Sequence, residues 1–202
     1  MEVQRPGKKL LIGVKQRLDE YDWEFETFDD PVLIDMLKRI KDYMLELEKG
    51  CERFLTFSGP SGIGKTHLLK RAARFINKAD FYFKKQGFMS KKVIYESWDA
   101  MVPKLLDSSK DYMYDLSHCG IVIVTEFLGY EKANNYTDIQ IDLGRKLLDA
   151  RAEMPMLIET NKSLKDFEVM DQRIASRLKR YGSEFLKFKD TVKPYQVRTK
   201  TL

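Results

Sequence analysis

Apolar positions recur along this chain in two alternating rhythms. Over residues 31–49, Leu33, Ile34, Leu37, Ile40, Met44 and Leu47 fall three and four apart, which places them on one face of a helix that Gly50 ends. Asp29 or Asp30 stands where it can cap that helix, with Pro31 in the first turn. Residues 53–58 (RFLTFS) alternate like a strand, and residues 67–77 (HLLKRAARFIN) return to helical spacing. Residues 93–95 predict a second strand. Ser97 or Asp99 caps a helix reaching Leu106, and residues 108–115 are polar and tyrosine-rich. Ile121-Val122-Ile123-Val124 is continuously apolar, as a parallel strand buried on both faces must be. A helix over 138–151, with Ile141, Leu147 and Leu148 at helical spacing, precedes a strand over 156–158 that ends at Thr160-Asn161. A short helix over 171–181 and a strand over 184–188 close the series. Strands alternating with helices predict an α/β fold of three layers, a parallel sheet between helices.

The ends read differently. Leu10, Leu11, Val14 and Leu18 suit one short amphipathic helix, and residues 21–28 (YDWEFETF) are aromatic, acidic and expected to be extended. We therefore expect residues 1–28 to form an arm packing on a single domain over 29–202, with little or no lid. Residues from 191 onward form a basic tail.

Between the first strand and the second helix lies Gly59-Pro60-Ser61-Gly62-Ile63-Gly64-Lys65-Thr66, which fits the phosphate-binding pattern G-x-x-x-x-G-K-[ST]. Its flanks, a strand before and a helix after, are the context the motif needs. Glycines let backbone N–H groups curl around phosphate oxygens, and the helix N-terminus adds partial positive charge. Lys65 is expected to reach the β- and γ-phosphates of ATP, and Thr66 to place its hydroxyl on Mg²⁺. The chain is thereby expected to be a P-loop NTPase.

Composition narrows the setting. With 202 residues, 43% hydrophobic and 33% charged, the chain can bury a full core and is not a disordered segment. No apolar run approaches the ~20 residues that span a bilayer, and the opening residues lack the apolar segment of a signal peptide. Cys51 and Cys119 lack metal-ligand spacing and read as reduced thiols, so a cytoplasmic location is expected. Of the net charge of +5, residues 162–202 carry 11 Lys or Arg against 5 Asp or Glu. That basic quarter suggests a polyanion partner. In the connector over 78–92, Lys84, Lys85, Lys91 and Lys92 are interleaved with Phe81, Tyr82 and Phe88. Lysines that neutralise phosphates beside aromatics that stack on bases would suit single-stranded DNA, although the aromatics serve equally as core.

Nucleotide hydrolysis also needs polar residues at the ends of buried strands. The strand over 121–124 ends in Thr125-Glu126. Glu126 is expected to polarise the attacking water, while Thr125 stands where an Asp would hold the water shell of Mg²⁺. The strand over 156–158 delivers Asn161 toward the γ-phosphate or the water. Arg177, in Asp171-Gln172-Arg173-Ile174-Ala175-Ser176-Arg177-Leu178, is placed to act as an arginine finger on a neighbouring subunit.

Taken in order, Gly-Pro-Ser-Gly-Ile-Gly-Lys-Thr-His-Leu, an apolar strand leading to Thr125-Glu126, then Thr160-Asn161, then Arg-Ile-Ala-Ser-Arg-Leu, resemble the AAA+ ATPases of the DnaC/DnaI helicase-loader and IstB group. The resemblance runs from about residue 23 to 198. It implies an AAA+ core in which residues 59–66 with His67 form the Walker A nucleotide site, Glu126 belongs to Walker B, Asn161 is sensor 1 and Arg177 is the finger. Arg198 corresponds to a sensor 2-like arginine, and residues 25–28 to the aromatic element preceding the first helix. It further implies ATP and Mg²⁺ as ligands, nucleotide-dependent homo-oligomers, and a replicative DNA helicase and single-stranded DNA as partners. Thr125 in place of the Walker B aspartate implies slow hydrolysis. The short N-terminus implies a minimal form without a separate partner-binding domain. Two other readings share these motifs: an IstB-like transposition ATPase, and a nucleotide-binding adaptor or inhibitor without turnover.

Overall fold

The computed structural model describes residues 31–47, 50–78, 93–107, 110–129, 138–180 and 182–189. The first described helix, α1 (Pro31–Leu47), buries Leu33, Met36, Leu37, Ile40, Tyr43, Met44 and Leu47 along one stripe. Ile34 lies off that stripe and is exposed, because the buried positions follow the turn of the helix from Leu33 to Leu37 and Ile40. The chain leaves through Gly50, at φ +84°, with Gly50 N–H bonded to the Leu47 carbonyl and Cys51 N–H to that of Glu46.

Strand β1 (Phe54–Ser58) follows and is buried at every position. Helix α2 (Lys65–Lys78), strand β2 (Val93–Ser97), helix α3 (Trp98–Leu106), helix α4 (Lys110–His118) and strand β3 (Ile121–Thr125) come next. Helix α5 (Asp138–Ala150), strand β4 (Met156–Thr160), helices α6 (Leu164–Met170) and α7 (Gln172–Leu178), and strand β5 (Glu184–Lys187) complete the series. The five strands form one parallel sheet in the order β2-β3-β4-β1-β5. Strand β4 thus lies between β1 and β3, although it follows both in sequence.

Side chains alternate across the sheet, so each face builds its own core. Leu55, Phe57, Ile121, Ile123 and Leu157 pack with the apolar faces of α1 and α2. Phe54, Ile94, Val122, Val124, Met156 and Ile158 pack with Trp98, Leu147, Leu148, Phe167, Ile174 and Leu178 from the helices opposite. A buried guanidinium ties the second face together. Arg151 is 0% exposed and donates to the carbonyls of Leu116, Cys119, Gly120 and Pro155 at 2.7 to 3.1 Å. Burial pushes its pKa down to about 10.

Two helices exceed what hydrophobic spacing predicts. Helix α4 occupies the polar, tyrosine-rich stretch and contributes Leu116 to the core. Helix α6 opens on a capping box, in which Ser163 Oγ accepts from Asp166 N–H and the Asp166 carboxylate accepts from Ser163 N–H. Asp171 then caps α7 by accepting from the amides of Arg173 and Ile174, which restarts the chain in a new helix. Among the described residues no helix is long and apolar enough to cross a membrane.

Candidate nucleotide site

The loop from Gly59 to Gly64 joins the end of β1 to the start of α2, at the edge where all five parallel strands end. Gly62 and Gly64 have positive φ, at +79° and +104°. A Cβ on Gly64 would meet Leu33 Cδ2 at 2.4 Å, and one on Gly59 would meet Phe188 Cβ at 2.9 Å, so α1 and the exit from β5 press on the loop from outside. Side chains at these positions would break either the backbone conformation or the packing. Ile63 is buried and anchors the loop, while Ser61, Gly62, Thr66 and His67 face solvent, where a ligand can reach their backbone amides.

Lys65 turns back under the loop. Its side chain is 2% exposed, and Nζ donates to the carbonyl oxygens of Gly59 and Pro60, both at 2.8 Å, and to Asn161 Oδ1 at 3.1 Å. Nζ also lies 3.5 Å from Glu159 Oε1. Burial pulls the Lys65 pKa down, and the Glu159 carboxylate opposes that pull. Asn161 reaches the loop as well, donating through Nδ2 to Ser61 Oγ at 3.0 Å. The residue predicted to meet the γ-phosphate therefore touches the P-loop at two points. Its neighbour Thr160 serves the framework instead, donating to the Phe127 carbonyl at 2.8 Å.

Beyond β3 the chain curls. Glu126 and Leu128 have φ of +56° and +47°, in the left-handed region that non-glycine residues rarely adopt. The turn is held by Phe127 N–H on the Glu159 carbonyl at 2.8 Å and Gly129 N–H on the Glu126 carbonyl at 3.1 Å. Glu126 is half-buried at the site, and its pKa is raised by burial first, then by Glu159 and Asp99, with Lys65 acting against them. Thr125 is buried at the end of β3.

Glu159 is the functional candidate that hydrophobic patterning passes over. It is a buried carboxylate, 3% exposed, that follows the three apolar residues opening β4. Oε2 accepts from Thr66 Oγ1 at 3.0 Å and from Glu126 N–H at 3.2 Å. A lone acid at the carboxyl end of a buried parallel strand was the available signal, since ligands of open α/β sheets bind there. On α5, Asp142 is engaged on the surface by Arg145 and Lys146.

Arg177 stands on α7 and is 38% exposed, with Nε 2.5 Å from Asp149 Oδ1 on α5. Arg198, the 1–28 arm, and the lysines and aromatics of the 78–92 connector lie outside the described residues. Among the described residues no group of three or more His, Cys, Asp or Glu side chains gathers to hold a metal ion. A metal here would draw on nucleotide oxygens as well as protein. The residues fit that arrangement: a threonine hydroxyl at a helix start and a carboxylate beside it could serve the metal, and a cationic amine under the glycine loop could serve the phosphates.

No protein-family profile and no curated protein matches this chain. Solved structures do. The DnaC helicase loader superposes with a TM-score of 0.59 at 20% identity, over 85% of this chain and 96% of that one. DnaI gives 0.59 at 16% identity, over 86% and 94%. AMPPCP-bound DnaA from Aquifex aeolicus gives 0.57 at 17% identity, over 79% and 47%. The chain spans about half the length of the replication initiators it matches. The sheet order, the loop at the end of β1 and these superpositions together show that the chain has the α/β P-loop NTPase fold seen in the DnaC, DnaI and DnaA structures.

Proposed function

We propose that this chain is an ATP-binding AAA+ protein of DNA replication, loader-like, which engages a replicative helicase and single-stranded DNA and hydrolyses ATP slowly. The observation that carries the reading is Lys65. It is buried under a glycine loop, held only by carbonyls, an amide oxygen and one carboxylate, and so is poised to exchange them for phosphate oxygens. Residues 59–67 would cradle the phosphates, with Thr66 on the metal side. Mg²⁺ arriving with ATP supplies charge neutralisation on the phosphate oxygens. Glu126 would orient water, and its raised pKa suits a group that shares a proton with it. Asn161, bridging Lys65 and Ser61, would report the γ-phosphate to the loop.

Slow turnover rests on Thr125, which offers a neutral hydroxyl where an aspartate would present a charged oxygen. The fit to whole loader chains supports the loader-like reading. Titration of a fluorescent ATP analogue, followed by pull-down of purified replicative helicase and of a transposase with and without ATP, tests it. Nucleotide-dependent capture of the helicase is expected. Capture of the transposase alone would favour the IstB-like alternative, and absence of nucleotide binding would overturn the reading.

A further inference from the structure

We infer that Glu159, on β4, is the carboxylate that holds the nucleotide's divalent cation in this protein, taking over from the β3 position that Thr125 occupies. The inference rests on the nucleotide-binding reading above and concerns how that site is built.

Register supplies the first support. Val124 pairs with Ile158 across the β3–β4 ladder, so the next step sets Thr125 beside Glu159. Paired residues in a parallel sheet share a face, and this face is the one that carries Ile123, Leu157 and Phe57 toward α2. Both side chains therefore look toward the start of the P-loop helix from adjacent strands, about 4.8 Å apart. Glu159 is on the strand next to β1, and its side chain is one methylene longer than an aspartate's. An acid moved by one strand still reaches the Thr66 hydroxyl, and it does so here at 3.0 Å.

Charge supplies the second. Without nucleotide, the cation facing Glu159 is Lys65, whose Nζ is 3.5 Å away. Bound phosphates would draw Lys65 toward themselves. Glu159 would then be left a buried carboxylate with only a hydroxyl and an amide donor, and an uncompensated buried charge is strongly unfavourable. A divalent cation entering with the phosphates replaces the charge that Lys65 withdraws. Hard divalent cations of this kind take oxygen ligands, directly or through water, and a carboxylate beside a threonine hydroxyl is such a set. Thr125 offers only a neutral hydroxyl from the neighbouring strand, a weaker ligand for a hard cation than a carboxylate.

The test compares the affinity of the full-length protein for a fluorescent, non-hydrolysable ATP analogue in EDTA and in Mg²⁺. In the parent, Mg²⁺ tightens binding. Glu159→Gln should lower the ratio of the affinity in Mg²⁺ to that in EDTA, whatever the metal-free affinity becomes. It should raise the Mg²⁺ concentration needed for half-maximal tightening by about 10–100-fold, the usual cost of losing a group that holds a metal. A purely structural role would weaken both conditions alike. Thr125→Asp in the parent should bring no tightening, since it sets a second acid beside Glu159. Glu159→Gln with the parent's Mg²⁺ dependence overturns the inference alone, and so does a tenfold gain from Thr125→Asp. A parent that binds the analogue in neither condition overturns the nucleotide reading and this inference with it. If circular dichroism shows Glu159→Gln unfolded, Thr125→Asp decides by itself: no gain upholds the inference and a gain overturns it.

Discussion

Replacing Lys65 by Ala should do two separable things. It removes an amine with three hydrogen bonds and an ion-pair contact, all formed in a side chain that is 2% exposed. Glu159 then stays buried with no facing cation. Breaking a buried pair by removing one partner costs about 3–5 kcal/mol. The lower end applies, since Glu159 keeps the Thr66 hydroxyl and the Glu126 amide as donors. For a chain of this size, a loss of about 3 kcal/mol lowers the melting temperature by roughly 6–12 °C. Nucleotide binding falls as well, by about 1.5–3 kcal/mol for each charge-assisted bond to phosphate that is lost, or roughly 10- to 150-fold per bond. Adding Glu159→Gln to Lys65→Ala removes the orphaned charge. The double variant should recover most of the melting temperature while nucleotide binding stays weak. Differential scanning calorimetry without ligand and analogue titration by fluorescence anisotropy measure the two effects. An unchanged melting temperature in Lys65→Ala, or no recovery in the double variant, would falsify the electrostatic account of the site. Undiminished analogue affinity in Lys65→Ala would remove Lys65 from the phosphates.

Arg177→Ala should leave the monomer's ATP affinity near normal, because its partner Asp149 is on the surface and such exposed pairs contribute about 0.2–1 kcal/mol. Nucleotide-dependent self-association, followed by sedimentation velocity, should fall; full association and turnover would count against a role in trans. Arg151→Leu strips donors from four buried carbonyls, each costing about 1–3 kcal/mol when left unmade, so it should lower the urea midpoint steeply and hinder soluble expression. A midpoint equal to the parent's would show that those carbonyls find other donors. Binding to single-stranded oligonucleotides should weaken steeply with salt, and reversing the charge of Lys84, Lys85, Lys91 and Lys92 should flatten the log–log slope. Salt-independent affinity would exclude a phosphate-contacting role for the connector.

Much of the fold is legible in local pattern, because the relevant physics is local. The i, i+3, i+4 stripe from Leu33 to Leu47 declares α1, and the unbroken run from Ile121 to Val124 declares a strand covered on both sides. The P-loop is equally legible, since the strand, glycines, lysine, threonine and helix that make it are contiguous in the chain. Helix α4 escapes hydrophobic spacing because Leu116 is its one fully buried apolar residue, with Tyr112 and Met113 only partly buried against the core. Helix α6 was available through its cap, Ser163 with Asp166, rather than through periodicity. Glu159 belongs to another category. In sequence it is one acid in Met-Leu-Ile-Glu-Thr, 33 residues from Glu126 and 93 from Thr66. Only the insertion of β4 between β3 and β1, out of chain order, lays it under the P-loop beside Lys65. Strand order and register are settled by burying both faces of the sheet at once, a requirement spread over the whole molecule. The residue types that bind phosphate can thus be read from the chain, while the carboxylate that meets them is chosen by the packing of strands distant in sequence.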